Sequence, residues 1–121
     1  MKIKDLLEEV DELKTNDIET KYKLRWLSVC EAKVIEDVLK THEPIYTETF
    51  NGYTEDDMNK TLLVPDAYAD LYKYYLYAMI DSTREETKRY EGSMQLYNMM
   101  LRDFTDFYNR THMPIQHPMR W

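Results

Sequence analysis

The sequence contains very little glycine: Gly52 and Gly92 are the only two in 121 residues. Sheet-rich folds need many tight turns, and those turns favour glycine because it adopts positive φ angles without steric cost. A fold built from many short strands is therefore disfavoured. A few long helices with short connections need far less glycine, so its scarcity favours an all-α protein.

Cysteine and long apolar runs are also scarce. Cys30 is the only cysteine, so no disulfide can form within the chain, which fits a reducing compartment. No stretch approaches the roughly 20 apolar residues that cross a bilayer, and the first residues lack the apolar run of a signal peptide. The sequence therefore predicts a soluble protein with no membrane partner.

Basic residues are fewer than acidic residues. The 16 basic and 23 acidic residues leave a formal net charge of -7. The imbalance lies in residues 1–60, which hold 9 basic and 15 acidic residues, whereas residues 61–121 hold 7 and 8. An acidic surface repels phosphates, so sequence-independent duplex binding is disfavoured. Such a surface still permits a channel through which DNA slides with little adhesion.

Apolar residues recur at helical spacing in four segments, as Ile3, Leu6, Leu7 and Val10 do in the first. Three connections separate these segments: the polar stretch Thr15-Asn16-Asp17, residues 42–65, and a short connection near Thr83 and Arg84. We expect Asp66 to cap the third helix. The predicted helices cover about residues 2–14, 17–41, 66–83 and 85–110.

These elements predict one domain, 1–121, folded as a small bundle of about four helices. The third helix is apolar over most of its circumference and is expected at the centre, antiparallel to the fourth. Residues 42–65 form an irregular loop that could include a short hairpin, and Asn51-Gly52 marks a turn within it. Residues 111–121 contain two prolines and are expected to form an extended C-terminal arm.

Several residues could carry chemistry, and each has a simpler structural explanation. His42, His112 and His117 are too few and too dispersed for a convincing zinc site. Cys30 lies within an apolar stripe, where thiols are usually inert. The run Glu55-Asp56-Asp57 lacks the alternation and central glycine of a calcium loop, so a turn or helix cap explains it better. No cofactor and no catalytic residue are predicted.

The segment Glu8-Glu9-Val10-Asp11-Glu12 resembles the acidic signature of MazG-type nucleotide pyrophosphohydrolases, all-α enzymes that hold magnesium against a triphosphate. That family needs a second acidic pair on the following helix. The second helix offers only Glu31 and the adjacent Glu36-Asp37, which point to different faces, and Asp103 and Asp106 lie on the fourth helix. This enzyme is the alternative hypothesis, and the solvent face of an amphipathic helix explains the acids better.

Tyrosine is abundant, with 11 residues, and five of them crowd the third helix. Tyr72 and Tyr75 are expected in the core. Tyr74 and Tyr77 are harder to bury within one protomer, and tyrosine favours protein–protein interfaces because it combines a large apolar ring with a polar tip. This pattern indicates an interaction protein.

Longer segments resemble small proteins encoded beside the portal gene in phages and prophages of Gram-positive bacteria. One such segment is Thr61-Leu62-Leu63-Val64-Pro65 with the tyrosines and leucines that follow it. The segment that matches best runs from Tyr90 to Pro114. The residues that carry the resemblance are Asp5-Leu6-Leu7, Trp26-Leu27, Tyr68, Leu71-Tyr72, Tyr75-Leu76, Tyr90, Ser93-Met94, Leu96-Tyr97-Asn98, Phe104 and Tyr108-Asn109-Arg110-Thr111-His112-Met113-Pro114.

The family implied is the head–tail connector (head-completion or adaptor) group of long-tailed phages. The resemblance implies a non-enzymatic structural virion protein, made in the host cytoplasm and located at the head–tail junction. It implies self-association into a ring, with the portal ring and the next tail-side connector as partners, and DNA passing through the channel without specific binding. A third hypothesis is that the protein is an oligomeric regulatory module.

Two groups of residues are predicted to make these contacts. The expected interface residues are Tyr74, Tyr77, Met113, Ile115, Met119 and Trp121. The expected loop contacts are Tyr46, Phe50 and Tyr53.

Overall fold

A computed structural model describes residues 1–115, and residues 116–121 lie outside the described part of the chain. The prediction of a small all-α bundle is confirmed. The four helices are α1 (Ile3–Leu13), α2 (Thr20–Asp37), α3 (Asp70–Thr83) and α4 (Thr87–Thr111). Two short strands, β1 (His42–Glu43) and β2 (Met113–Pro114), and three 3-10 turns, Leu39–Thr41, Glu55–Asp57 and Asp66–Tyr68, complete the described elements.

Helix α3 is the central element, as its apolar circumference predicts. It packs against α1, α2 and α4, and Leu71, Tyr72, Leu76 and Ile80 are fully buried within it. Ile3, Leu6, Leu7 and Val10 of α1 close the core from one side, and Leu27, Cys30 and Val34 of α2 close it from another. One apolar cluster therefore joins all four helices.

Helices α3 and α4 form the predicted antiparallel pair, because their aromatic contacts run in opposite order along the two helices. Tyr75 lies 5.2 Å from Tyr97 between ring centroids, and Tyr68 lies 5.9 Å from Phe104. Only Tyr97 and Phe104 of α4 are buried. Much of this 25-residue helix therefore faces solvent.

Helix α2 is shorter at both ends than the predicted 17–41. At its start, the Asn16 side chain accepts a hydrogen bond from the Ile18 amide (3.1 Å), which holds residues 16–18 in a turn. At its end, the Val38 carbonyl accepts from the Thr41 hydroxyl at 2.8 Å. The 3-10 turn Leu39–Thr41 therefore replaces the last predicted turn of the helix.

The prediction that Asp66 caps the third helix is wrong. Residues Asp66–Tyr68 form a 3-10 turn, and α3 begins at Asp70. The Asp66 carboxylate instead forms an ion pair with the amino group of Met1. Tertiary contact with the start of α1 therefore replaces the local cap.

The hairpin considered for residues 42–65 does not form. Strand β1 pairs antiparallel with β2, so His42 lies opposite Pro114 and Glu43 opposite Met113. At the other end of the loop, Thr61 forms an isolated bridge with Lys2. The two extended ends of the loop pair with distant segments, because the bundle brings the start of α1 and the end of α4 beside them.

Candidate interaction surfaces

A buried carboxylate holds the long loop against the bundle. The Glu31 side chain of α2 is fully buried. Its Oε1 accepts a hydrogen bond from the Tyr72 hydroxyl (2.7 Å), and its Oε2 accepts from the Tyr53 hydroxyl (2.7 Å) and the Leu63 amide (3.2 Å). We call these four residues the Glu31 cage. It joins α2, α3 and both ends of the segment 53–63.

The electrostatics of the cage follow from its burial. Burial raises the pKa of Glu31, and the hydrogen bonds from Tyr72, Tyr53 and Leu63 oppose that rise. Burial, followed by the nearby Glu31 charge, raises the pKa of Tyr72 and of Tyr53, so both hydroxyls stay protonated as donors. Because the carboxylate is closed off from solvent, the cage positions the loop and does not face a ligand.

The loop displays the aromatic residues that the sequence assigns to contacts. Tyr46, Phe50 and Tyr53 are all half-buried, and the rings of Phe50 and Tyr53 meet edge to face at 4.9 Å. Gly52 adopts φ +93°, a backbone conformation that glycine accepts at little cost, and the Tyr53 amide donates to the Ser28 hydroxyl at 2.8 Å. Cavities of 310 and 210 Å³ lie on either side of Tyr46 and Phe50.

Tyr74 and Tyr77 form a surface pair on α3. Both are half-buried, and their ring centroids lie 6.2 Å apart in an edge-to-face arrangement. Lys73 lies over the Tyr74 ring (5.1 Å) and Lys14 over the Tyr77 ring (5.3 Å). The protomer therefore covers part of each ring and leaves the remainder at the surface, whereas Tyr72 and Tyr75 are buried, as predicted.

The predicted arm begins as an ordered strand. Met113 is 66% exposed, whereas Ile115 is half-buried and its amide donates to the Thr41 carbonyl at 2.9 Å. Thr111, counted with the arm in the prediction, ends α4. Met119 and Trp121, the other predicted interface residues of the arm, lie outside the described residues.

His42 and His112 pack near the strand pair. Buried His42 contacts the Val38 carbonyl through Nδ1 (2.9 Å) and the Asn109 side chain through Nε2. His42 meets the Tyr108 ring edge to face, and His112 stacks on that ring at 3.8 Å between centroids. His117 lies outside the described residues. Between residues 1 and 115, no group of three or more metal-ligating side chains comes together.

The acids of the alternative enzyme hypothesis are dispersed among separate ion pairs. Asp11 pairs with Lys23 at 2.7 Å, Glu9 lies 3.8 Å from Lys73, and Glu36 pairs with Lys40 at 2.7 Å. Over the described part of the chain, these acids do not converge on a common site. The geometry therefore offers no support for a magnesium site of the MazG type.

The remaining candidates have structural roles. Residues Glu55–Asp57 form a 3-10 turn whose capping box joins Thr54 and Asp57, as the turn-or-cap interpretation predicts. A hydrogen bond from Lys60, followed by one from the Thr54 amide, lowers the pKa of Asp57. Cys30 is fully buried, and burial raises the pKa of its thiol, which makes it unreactive.

Two features escaped the sequence analysis. The Glu31 cage joins positions that are 22, 32 and 41 residues away from Glu31 in the chain, so no local pattern could indicate it. A second feature is a 370 Å³ cavity between the start of α2 and the end of α3. Tyr22 and Trp26 at this cavity could have been noticed, because large aromatic residues here follow the acids Asp17 and Glu19.

Comparisons with protein-family models, with curated proteins and with solved structures give no match for this chain. No helix within residues 1–115 is both long and apolar enough to cross a membrane.

Proposed function

We propose that this protein is a structural connector of a phage head–tail junction, which assembles as a ring on the portal and extends the DNA channel towards the tail. The observation that carries the proposal is the loop of residues 44–64. The Glu31 cage anchors this loop at Tyr53 and Leu63, and Tyr46 and Phe50 are half-buried against the bundle. A loop that is anchored in this way and carries partly exposed aromatic rings suits protein recognition, because each anchor reduces the conformational entropy lost on binding.

Exposed apolar residues elsewhere support assembly. Leu96 and Met99 lie one turn apart on the open side of α4 and are 43% and 56% exposed. Met113 on β2 is also exposed. A ring requires a heterologous interface, in which two different patches of the protomer meet. The open side of α4 and the surface around the loop provide different apolar patches on one protomer.

The acidic balance supports the channel role. The net charge of -7 limits adhesion to the phosphate backbone, so DNA would pass through such a ring without being retained. The proposal places no catalytic residue and no cofactor in the protein. It places the portal ring and the next tail-side connector on opposite faces of the assembled ring.

Electron microscopy of the protein mixed with purified portal rings from the same genome tests this function. We expect extra density stacked coaxially on the portal. A variant with Tyr46→Ser and Phe50→Ser should weaken this binding. Leu13→Ser is the matched control, because Leu13 is 64% exposed at the end of α1, away from the loop.

The tyrosine pair is tested separately with Tyr74→Ser and Tyr77→Ser. Full ring formation and portal binding by this variant would remove the pair from the interface. If portal rings and DNA-filled heads both fail to bind the wild-type protein, the connector function is wrong. The coding neighbourhood gives a further check, since portal genes are expected upstream and tail genes downstream.

A further inference from the structure

The cavity at the start of α2 has the form of a cup with aromatic walls and an acidic rim. It measures 370 Å³, within the range of pockets that enclose a small organic group. Tyr22 is 46% exposed and Trp26 is half-buried. The residues that line this aromatic cup are Asp17, Ile18, Glu19, Tyr22, Trp26 and Thr83.

The charges around the aromatic cup leave it open to a cation. Lys21 lies over the Tyr22 ring at 5.1 Å and 3.5 Å from Glu19, but Lys21 and Glu19 are 61% and 68% exposed. An ion pair this exposed contributes little and gives way readily to a better-placed partner. Arg84 donates to the Thr15 carbonyl. Within residues 1–115, Asp17 forms no ion pair.

We propose that Met119-Arg120-Trp121 of one copy docks in the aromatic cup of a second copy of this chain. The three residues combine an apolar side chain, a cation and a large aromatic ring. Arg120 meets the two carboxylates of the rim, and Trp121 packs on the rings of Tyr22 and Trp26. A guanidinium also interacts favourably with aromatic faces, so charge and shape both match.

The distances favour a second copy over the same chain. Ile115 is bonded to Thr41, beyond the last residue of α2. Tyr22 lies about 22 Å along the helix from that last residue, at 1.5 Å per residue. Six fully extended residues span about 20 Å. Met119, Arg120 and Trp121, whose side chains must enter the aromatic cup, follow Ile115 by only four to six residues. The segment could therefore reach the cup of its own protomer only when it is almost fully extended along α2, whereas docking in a second copy requires no such extension.

Docking of this kind is head-to-tail, because the described chain ends at Ile115 near the end of α2, whereas the cup lies at the start of α2. A head-to-tail interface generates closed rings when the rotation between protomers closes. The inference rests on the proposed ring assembly and specifies the contact between neighbours. It assigns no role to the cup in binding the portal.

Sedimentation of the full chain at increasing concentration tests the inference. We expect wild-type protein to self-associate, and Arg120→Glu to weaken this association roughly tenfold or more. A cup variant with Asp17→Lys and Glu19→Lys should show the same loss. The matched controls are Arg102→Glu on α4 and the pair Glu8→Lys with Glu12→Lys on α1, which change the charge equally at exposed positions.

Mixing the two defective proteins provides the sharper test. The Arg120→Glu protein keeps an intact cup, and the cup variant keeps an intact donor segment. At a concentration at which each variant alone is monomeric, a 1:1 mixture should therefore form dimers or larger species. The far-UV helical signal of each variant should match that of the wild type, which separates loss of docking from loss of folding.

Three outcomes would overturn the inference: a wild-type protein that stays monomeric at high concentration, variants that associate like the controls, or a mixture that does not associate. If the cup variant associates normally but no longer binds portal rings, the occupant of the cup is the portal. Portal binding by a monomeric wild-type protein would refute the docking inference and leave the connector function intact.

Discussion

At the residue scale, the main feature is a carboxylate that is fully buried and yet fully hydrogen-bonded. Burying an ionisable group is costly unless its oxygens find donors, and Glu31 finds three. Tyr72 contributes twice, because its hydroxyl donates to Glu31 and accepts from the Val64 amide at 3.0 Å. The cage therefore depends strongly on single hydroxyl groups.

Replacing Tyr72 with phenylalanine should lower the free energy of unfolding by about 2–3 kcal/mol, because Glu31 loses one donor and the buried Val64 amide loses its acceptor. Urea denaturation measures this loss. Tyr22→Phe is the matched control, since its ring is 46% exposed, and its effect should stay within about 0.5 kcal/mol. Equal effects of the two substitutions would contradict the cage as a source of stability.

The raised pKa of Glu31 makes stability depend on pH in a definite direction. The folded state binds this proton more tightly than the unfolded chain, where the ordinary value is 4.5. The stabilising contribution is therefore fully present below that value and is lost as the pH rises through the raised pKa. Subtracting the unfolding free energy of Glu31→Gln from that of the wild type isolates this group.

We expect this difference to fall as the pH is raised from about 4.5 and to level off above the folded-state pKa. Urea denaturation of both proteins at a series of pH values measures it. A difference that is constant, or that grows with pH, would show that burial does not dominate the environment of Glu31.

At the element scale, contacts at the ends of the helices hold the fold together. The β1–β2 pair joins the end of α2 to the end of α4, and the buried side chain of His42 in β1 contacts Asn109 of α4. Helix α4 has few buried residues of its own, so this junction fixes where it ends. The same junction fixes the direction in which the chain leaves at Ile115.

Asn109→Ala should loosen this junction, because His42 Nε2 would remain buried without its side-chain partner. We expect a loss of about 1–3 kcal/mol and faster hydrogen exchange at the Ile115 amide. Asn98→Ala, at an exposed position of the same helix, serves as the control and should leave that amide unchanged. Unchanged exchange in both variants would mean that the strand pair does not depend on the contact between His42 and Asn109.

At the scale of the whole molecule, one core and an acidic surface set the behaviour. The single apolar cluster reaches all four helices, so the described chain is expected to unfold as one unit. The net charge of -7 gives the molecule a repulsive potential towards polyanions. Both properties fit the connector function proposed above.

The protein should not bind a 20-base-pair duplex measurably at about 150 mM salt, because few phosphates could be neutralised by a surface in which acids outnumber bases. Fluorescence anisotropy of a labelled duplex tests this expectation. The cup variant with two added lysines provides a comparison with less negative charge. Salt-dependent duplex binding by the wild-type protein would contradict passive passage of DNA through a channel.

The helices and the core were largely predictable, whereas the polar contacts were not. The stripe Ile3, Leu6, Leu7 and Val10 indicates α1 because helical periodicity is a local property of the sequence. The burial of Tyr72 also followed from its place on an apolar face. Glu31 could not be predicted as a cage, because its partners come from three segments that only folding brings together.

The sequence by itself determined the fold class, the four helices, the antiparallel pair α3–α4 and the acidic balance. These properties depend on composition and on short-range spacing, which the linear chain already contains. Only the tertiary structure decided that Asp66 pairs with Met1, that β1 pairs with β2, and that Glu31 anchors the loop. Those contacts join residues far apart in the chain, so they exist only once the helices have packed.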